Sequence, residues 1–168
     1  MRKKLYVGCG TKKLAGYINC DLSRKYDPDV VIDVCRLSTK FKENSIDEIL
    51  TEHTIEHVPD FTRMMFEMWK VLKKGGKLRI VVPYAGLTSS FHPFHLHNFS
   101  YNSFFPFKKG DRHDDYYNFH FSEVRVKLYF SKAMRWFSRF ANKYSGVYEN
   151  SFLSRCFPAN EVHVEMIK

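Results

Sequence analysis

The feature that most constrains this chain is a series of short apolar runs, each stopping at a small or acidic turn. Leu5, Tyr6 and Val7 lead into Gly8-Cys9-Gly10, residues 17–20 end at Asp21, residues 30–32 at Asp33, and residues 46–51 at Glu52 and His53. Runs this short, without strict alternation, suit strands buried on both faces of a parallel sheet. Asp60 precedes Phe61, Met64, Met65, Met68 and Leu72, whose helical spacing predicts an amphipathic helix capped by the aspartate. Gly75-Gly76 is its expected C-terminal stop, and residues 77–83, with Ile80-Val81-Val82, are a predicted fifth strand.

Residues 84–118 read mostly as loop, with Gly86, Pro93, Pro106 and Gly110 and one short helical candidate opened by Ser100. A loop of that length in a compact domain usually has a function, here a pocket lid or an interface. Residues 119–130 alternate as a strand, Ser131 opens a helix to about residue 144, and residues 161–167 alternate again. With no repeat or linker, residues 1–168 are expected to form a single domain. The element order predicts a doubly wound α/β fold, its sheet mostly parallel with an antiparallel C-terminal strand pair.

A composition of 44% apolar and 27% charged residues excludes a disordered chain. The formal charge of +9 would attract phosphates or an anionic membrane surface. Its lysine pairs, Lys3/Lys4, Lys12/Lys13, Lys73/Lys74 and Lys108/Lys109, are scattered over turns and element ends, however. A solvated surface is therefore the simpler reading, and a nucleic-acid partner the weaker one. Cys9, Cys20, Cys35 and Cys156 have no CxxC spacing and no signal peptide ahead of them, so a reducing, cytoplasmic setting is expected. No run approaches the roughly 20 apolar residues of a membrane span.

In open α/β sheets, ligands bind beyond the carboxyl ends of the strands, where the strand order reverses. Glycines after the first strand let a ligand approach backbone N–H groups, and an acid ending the second can accept hydrogen bonds from both ribose hydroxyls. The Gly8-Cys9-Gly10 turn with Asp21 therefore describes a nucleoside site. Glycine also marks ordinary turns, so the placement of the motif carries the argument.

Val7-Gly8-Cys9-Gly10, then Gly16-Tyr17-Ile18-Asn19-Cys20-Asp21 and Asp33, resemble the class I S-adenosylmethionine-dependent methyltransferases. The segments 44–49, 56–58 and 67–78 look like their fourth strand, its exit, and the helix and glycine turn before the fifth strand. The match spans about residues 5–84 and is closest to a short form of the methyltransferase type 11 branch. The resemblance implies a Rossmann-like fold and S-adenosylmethionine as cofactor. Gly8, Cys9 and Gly10 would hold its methionine part and Asp21 its ribose, with Asp33 and Leu37 at the adenine. Glu52 and His53 would line the methyl-transfer face. Tyr6 departs from the acid common in that first strand, Lys70 and Lys74 stand where arginine and proline are frequent, and the crossovers before Asp21 and Val30 are too short for full helices. The cofactor pocket is thus expected to be shallow or closed by the tail or by a second subunit, as in a homodimer. The compact front end resembles bacterial methyltransferases associated with glycan or small-molecule modification.

Two histidine groups compete for other readings. His53-Thr54-Ile55-Glu56-His57 matches the inverted zinc-protease motif HxxEH, which needs both imidazoles on one helical face. A strand exit followed by Pro59 predicts otherwise, so no metal is expected and His57 is assigned a structural hydrogen bond. His92, His95 and His97 shape a loop with Pro93 in the simplest reading. Imidazole can also take a proton from a hydroxyl or amine at neutral pH, which makes His95, with His53, a catalytic candidate. The expected activity is methyl transfer to a small molecule or sugar. The alternatives are a noncatalytic methyltransferase-like partner subunit and a basic nucleic-acid-binding domain.

Overall fold

The computed structural model describes residues 2–86 and 91–168. Among the described residues seven strands form one sheet: β1 (Lys4–Val7), β2 (Ile18–Asp21), β3 (Val30–Val31), β4 (Ile46–Glu52), β5 (Leu72–Pro83), β6 (Glu123–Tyr129) and β7 (Glu161–Ile167). Their order is β3-β2-β1-β4-β5-β7-β6. The first five pair in parallel and β7 runs antiparallel to both β5 and β6. This is the predicted mostly parallel α/β sheet with an antiparallel end. The order reverses beside β1, which places a binding crevice at the carboxyl ends of β1 and β4.

The two faces are covered very unequally. On one, α1 (Phe61–Val71) buries Met64, Met65, Met68 and Val71 against Leu5, Val7, Ile49, Leu78 and Ile80. Asp60 caps this helix as predicted, accepting a 2.9 Å hydrogen bond from the Arg63 amide. The other face carries a small cluster of Tyr6, Cys9 and Leu50, with Leu14 and Tyr17 packed against it. The β1–β2 connection contains no helix and the β2–β3 connection has a single 3-10 turn, Arg24–Tyr26. The short crossovers read from the sequence are real, and they leave that face with a loop where a helical layer would stand.

α1 ends at Val71, four residues before the glycines that the sequence assigns as its stop. Gly75, at φ +74°, instead shapes an excursion within β5, where the register against β4 jumps from Ile46↔Leu72 to Glu48↔Lys77. The Gly75 amide donates to the Lys168 carbonyl, and the Lys168 amide donates to Gly76. A partner at the far end of the chain decides this turn.

The long aromatic segment is largely core. Phe99, Phe104, Phe107, Phe119 and Phe121 are buried, and the Phe61 ring on α1 meets the first three at centroid distances of 5.6, 6.3 and 5.8 Å. Phe91, Phe94 and Leu96 remain exposed, and residues 87–90 of the expected lid lie outside the described residues. Beyond β6, Ser131 precedes a 3-10 turn, Lys132–Phe137, without a side-chain cap bond, and α2 (Ser138–Lys143), α3 (Ser145–Glu149) and α4 (Leu153–Cys156) follow.

Candidate active site

The carboxyl ends of β1, β2 and β4 open onto a cavity of about 630 Å³. Gly8, Gly10, Asp21, Asp33 and His53 line it, together with His57, Cys35 and Asp60. Its floor is the glycine turn. Gly8 sits at φ +72°, and a Cβ there would lie 2.1 Å from the Thr54 hydroxyl oxygen, so only glycine fits. Its amide and that of Cys9 donate to the Cys20 carbonyl at 2.9 and 3.0 Å, which ties the turn to β2. Gly10, at φ +51°, has open space where a Cβ would be, on the wall of the cavity.

Asp21 organises the other wall. One carboxylate oxygen accepts from the Gly10 amide at 2.9 Å and the other from the Ser23 amide at 2.8 Å. A carboxylate offers about four acceptor positions, so both oxygens keep capacity for a ligand. Asp33 caps the 3-10 turn Val34–Thr39 through a 2.8 Å bond from the Cys35 amide. That turn is fastened to α1 by Glu67, a residue the sequence reading passed over. Fully buried, Glu67 accepts from the Ser38 amide at 2.7 Å and from the Arg63 guanidinium at 2.9 Å. Its position in a polar-looking helix slot gave no signal, because its partners come from another element.

His53 and His57 line the cavity from the segment that leaves β4. His53 has φ +47°, unusual for a residue other than glycine, as the chain leaves β4. Its Nδ1 is 3.8 Å from Glu56 and its Nε2 3.2 Å from Glu161. The Glu56 carboxylate, with Glu161, holds this imidazole above its ordinary pKa despite partial burial. The segment 53–57 is a strand exit and a 3-10 turn, Ile55–His57, so the two imidazoles share no helical face and the HxxEH protease arrangement is absent. His57 Nδ1 donates to the Phe94 carbonyl at 2.8 Å, the structural bond expected of it.

Four other sequence-derived residues fall outside the cavity lining. Leu37 is fully buried in the core and Cys9 in the cluster on the opposite face. Glu52 projects to that same face, accepting from the Tyr6 hydroxyl at 2.9 Å and pairing with Lys12. His95 does not line the cavity either; its ring lies 4.9 Å from that of His57.

A cavity of this size, with a permissive glycine wall and two acidic strand ends, fits a nucleoside-bearing cofactor. Residues 5–80 match the family model described as a methyltransferase domain. No curated protein matches the chain. Among solved structures, a SAM-dependent methyltransferase from Archaeoglobus fulgidus is similar over 99% of this chain and 86% of its own, with 15% identity and a TM-score of 0.70. A possible histamine N-methyltransferase from Thermotoga maritima is similar over 100% of this chain and 83% of its own, with 20% identity and a TM-score of 0.63. A putative methyltransferase from Haloferax volcanii, solved with the Trm112 activator, is similar over 99% and 83%, with 16% identity and a TM-score of 0.58. Residues 5–80 thus carry a methyltransferase-domain match, and the strand order and the solved structures give the chain the fold of the S-adenosylmethionine-dependent methyltransferases.

Proposed function

We propose that the chain transfers a methyl group to a small-molecule or sugar acceptor in this cavity. The observation that carries the proposal is the convergence of Gly8, Gly10, Asp21, Asp33, His53 and His57 on a single cavity. Bound S-adenosylmethionine supplies a methyl group on a sulfonium, already activated for nucleophilic attack. The protein's work is then mainly alignment, which contributes much of the rate in such displacements. Asp21 receives the ribose hydroxyls on the free positions of its carboxylate, and Asp33 borders the base. His53, held toward its charged form between two glutamates, suits orientation of a polar or anionic acceptor better than removal of its proton.

The acids around the cavity, Asp21, Asp33 and Asp60, disfavour a polyphosphate backbone there, although the whole chain is basic. The noncatalytic-subunit reading draws support from the missing first-half helices. The four free cysteines favour a reducing, cytoplasmic setting, and no described helix is long and apolar enough to cross a membrane. A screen of hydroxyl- and amine-bearing acceptors, read by S-adenosylhomocysteine release from the isolated chain, tests the proposal. Turnover with a small acceptor supports it. Cofactor binding without turnover on any acceptor favours the partner-subunit reading.

A further inference from the structure

Beside the cavity lies a second group of side chains that methyl transfer does not use. Glu56, His57 and His95 bring one possible ligand atom each to within 4.8 Å of one another. Glu56 is only 1% exposed, and its Oε2 has no hydrogen-bond partner. A buried carboxylate oxygen without a donor is costly, and in native proteins it calls for a compensating group. The nearest cationic candidate, His53 Nδ1, stands 3.8 Å from the other oxygen, beyond hydrogen-bond reach.

The surrounding bonds fix the group in place. His57 donates from Nδ1 to the Phe94 carbonyl, which leaves Nε2 as its lone-pair nitrogen. Metal-bound histidines commonly have this arrangement, because the bond sets the tautomer and the ring orientation. The loop that carries His95 is stapled to the same turn on both sides. The Leu96 amide donates to the Glu56 carbonyl at 2.8 Å, and His97 Nε2 bonds the Val58 carbonyl at 2.8 Å. His97 is thereby occupied as a fastener, and His92 stacks on the His95 ring with centroids 4.4 Å apart.

We propose that Glu56, His57 and His95 form a binding site for a divalent transition metal, zinc foremost. Two imidazoles and one carboxylate are a three-ligand zinc set that keeps a coordination position open for water or a substrate oxygen. Zinc bonds of about 2.0–2.1 Å place ligand atoms roughly 3.4 Å apart, so the loop must draw in by about an ångström. The ion would offset the Glu56 charge and, through His57, border the cavity. The proposal departs from the expectation of no metal, and for a reason the sequence conceals. The third ligand is His95, not His53, and it arrives from a loop 38 positions beyond His57.

The test is direct metal binding by the tag-free full-length chain, independent of any methyl acceptor. After removal of metal with a chelator, the protein is titrated with zinc by calorimetry and with cobalt by visible absorption, and its melting is followed with and without zinc. The wild type is expected to take up a single equivalent, melt at a higher temperature with zinc, and give a cobalt spectrum of low coordination number. Glu56→Gln and His95→Ala should each weaken zinc binding by at least about tenfold. His113→Ala, in another turn, should bind as the wild type does. Because His95 is on a surface loop, its alanine variant keeps the test meaningful even if Glu56→Gln unfolds. Absence of stoichiometric uptake by the wild type, or equal affinity in His95→Ala and wild type, overturns the site.

Discussion

The Tyr6 hydroxyl donates a 2.9 Å hydrogen bond to the Glu52 carboxylate, joining β1 to β4 on the sheet face that lacks helices. The bond gives Tyr6 a structural role where the class I methyltransferases that the sequence resembles commonly carry an acid. Burial and the neighbouring Glu52 push the phenol well above its ordinary pKa, so it stays a donor at every physiological pH. A partly exposed hydrogen bond to a charged group contributes about 1 kcal/mol. Tyr6→Phe should therefore lower the melting temperature by roughly 2–4 °C. It should leave S-adenosylhomocysteine affinity within about twofold of wild type, as calorimetry would show. A large loss of affinity would place Tyr6 and Glu52 in the cofactor site after all.

Gly8 and Thr54 form a second testable pair. An alanine at Gly8 meets both a positive φ and a 2.1 Å contact with the Thr54 hydroxyl. The backbone part alone costs about 1–2 kcal/mol. Gly8→Ala should destabilise the protein by more than that, and Thr54→Gly in the same chain should recover the contact part but not the backbone part. Denaturant unfolding of the single and double variants measures the coupling. Strict additivity would mean the turn shifts to avoid the threonine.

Thiol chemistry offers a probe of the cavity. Burial, with the nearby Asp33 carboxylate, pushes the Cys35 thiol up to about 11, and burial pushes Cys20 up to about 12. A raised thiol pKa means less thiolate at neutral pH, about one part in a thousand for Cys35 at pH 8. Cys156, exposed on the surface, should alkylate first at pH 8, followed by Cys35, with Cys20 silent in the folded protein. The Cys35 rate should rise about tenfold per pH unit up to its pKa and fall when S-adenosylhomocysteine fills the cavity that this residue lines. Peptide mass spectrometry follows each site. Unprotected Cys35 in the presence of saturating ligand would argue that the ligand binds elsewhere.

Much of the front half was legible because its rules are local. Strand ends at Gly8, Asp21 and Asp33, the Asp60 cap and the Met64, Met65 and Met68 stripe each depend on neighbours in sequence. What stayed hidden depends on partners far along the chain. The Gly75 turn is set by Lys168, Glu67 is buried because Ser38 and Arg63 reach it, and His95 meets Glu56 only after the aromatic loop folds back. That loop itself looked like a lid, because proline and glycine punctuate it. Its phenylalanines pack on α1 by contacts that no periodicity announces. The resemblance also placed Leu37 and Glu52 toward the cofactor, whereas one lies in the core and the other faces away.

The central claim is that the cofactor binds where Asp21 meets the glycine turn, and calorimetric titration with S-adenosylhomocysteine tests it most directly. Hydrogen bonds to a charged group contribute roughly 1.5–3 kcal/mol, and about 1.4 kcal/mol corresponds to tenfold in affinity. Asp21→Ala removes the proposed ribose acceptor and also frees the Gly10 and Ser23 amides, so it should bind at least about tenfold more weakly than wild type. Asp33→Ala, which frees only the Cys35 amide and is proposed to border the base without holding the ribose, should lose less. Circular dichroism establishes that the variants are folded. A folded Asp21→Ala protein that binds as tightly as wild type, or a wild type that does not bind at all, would contradict the account.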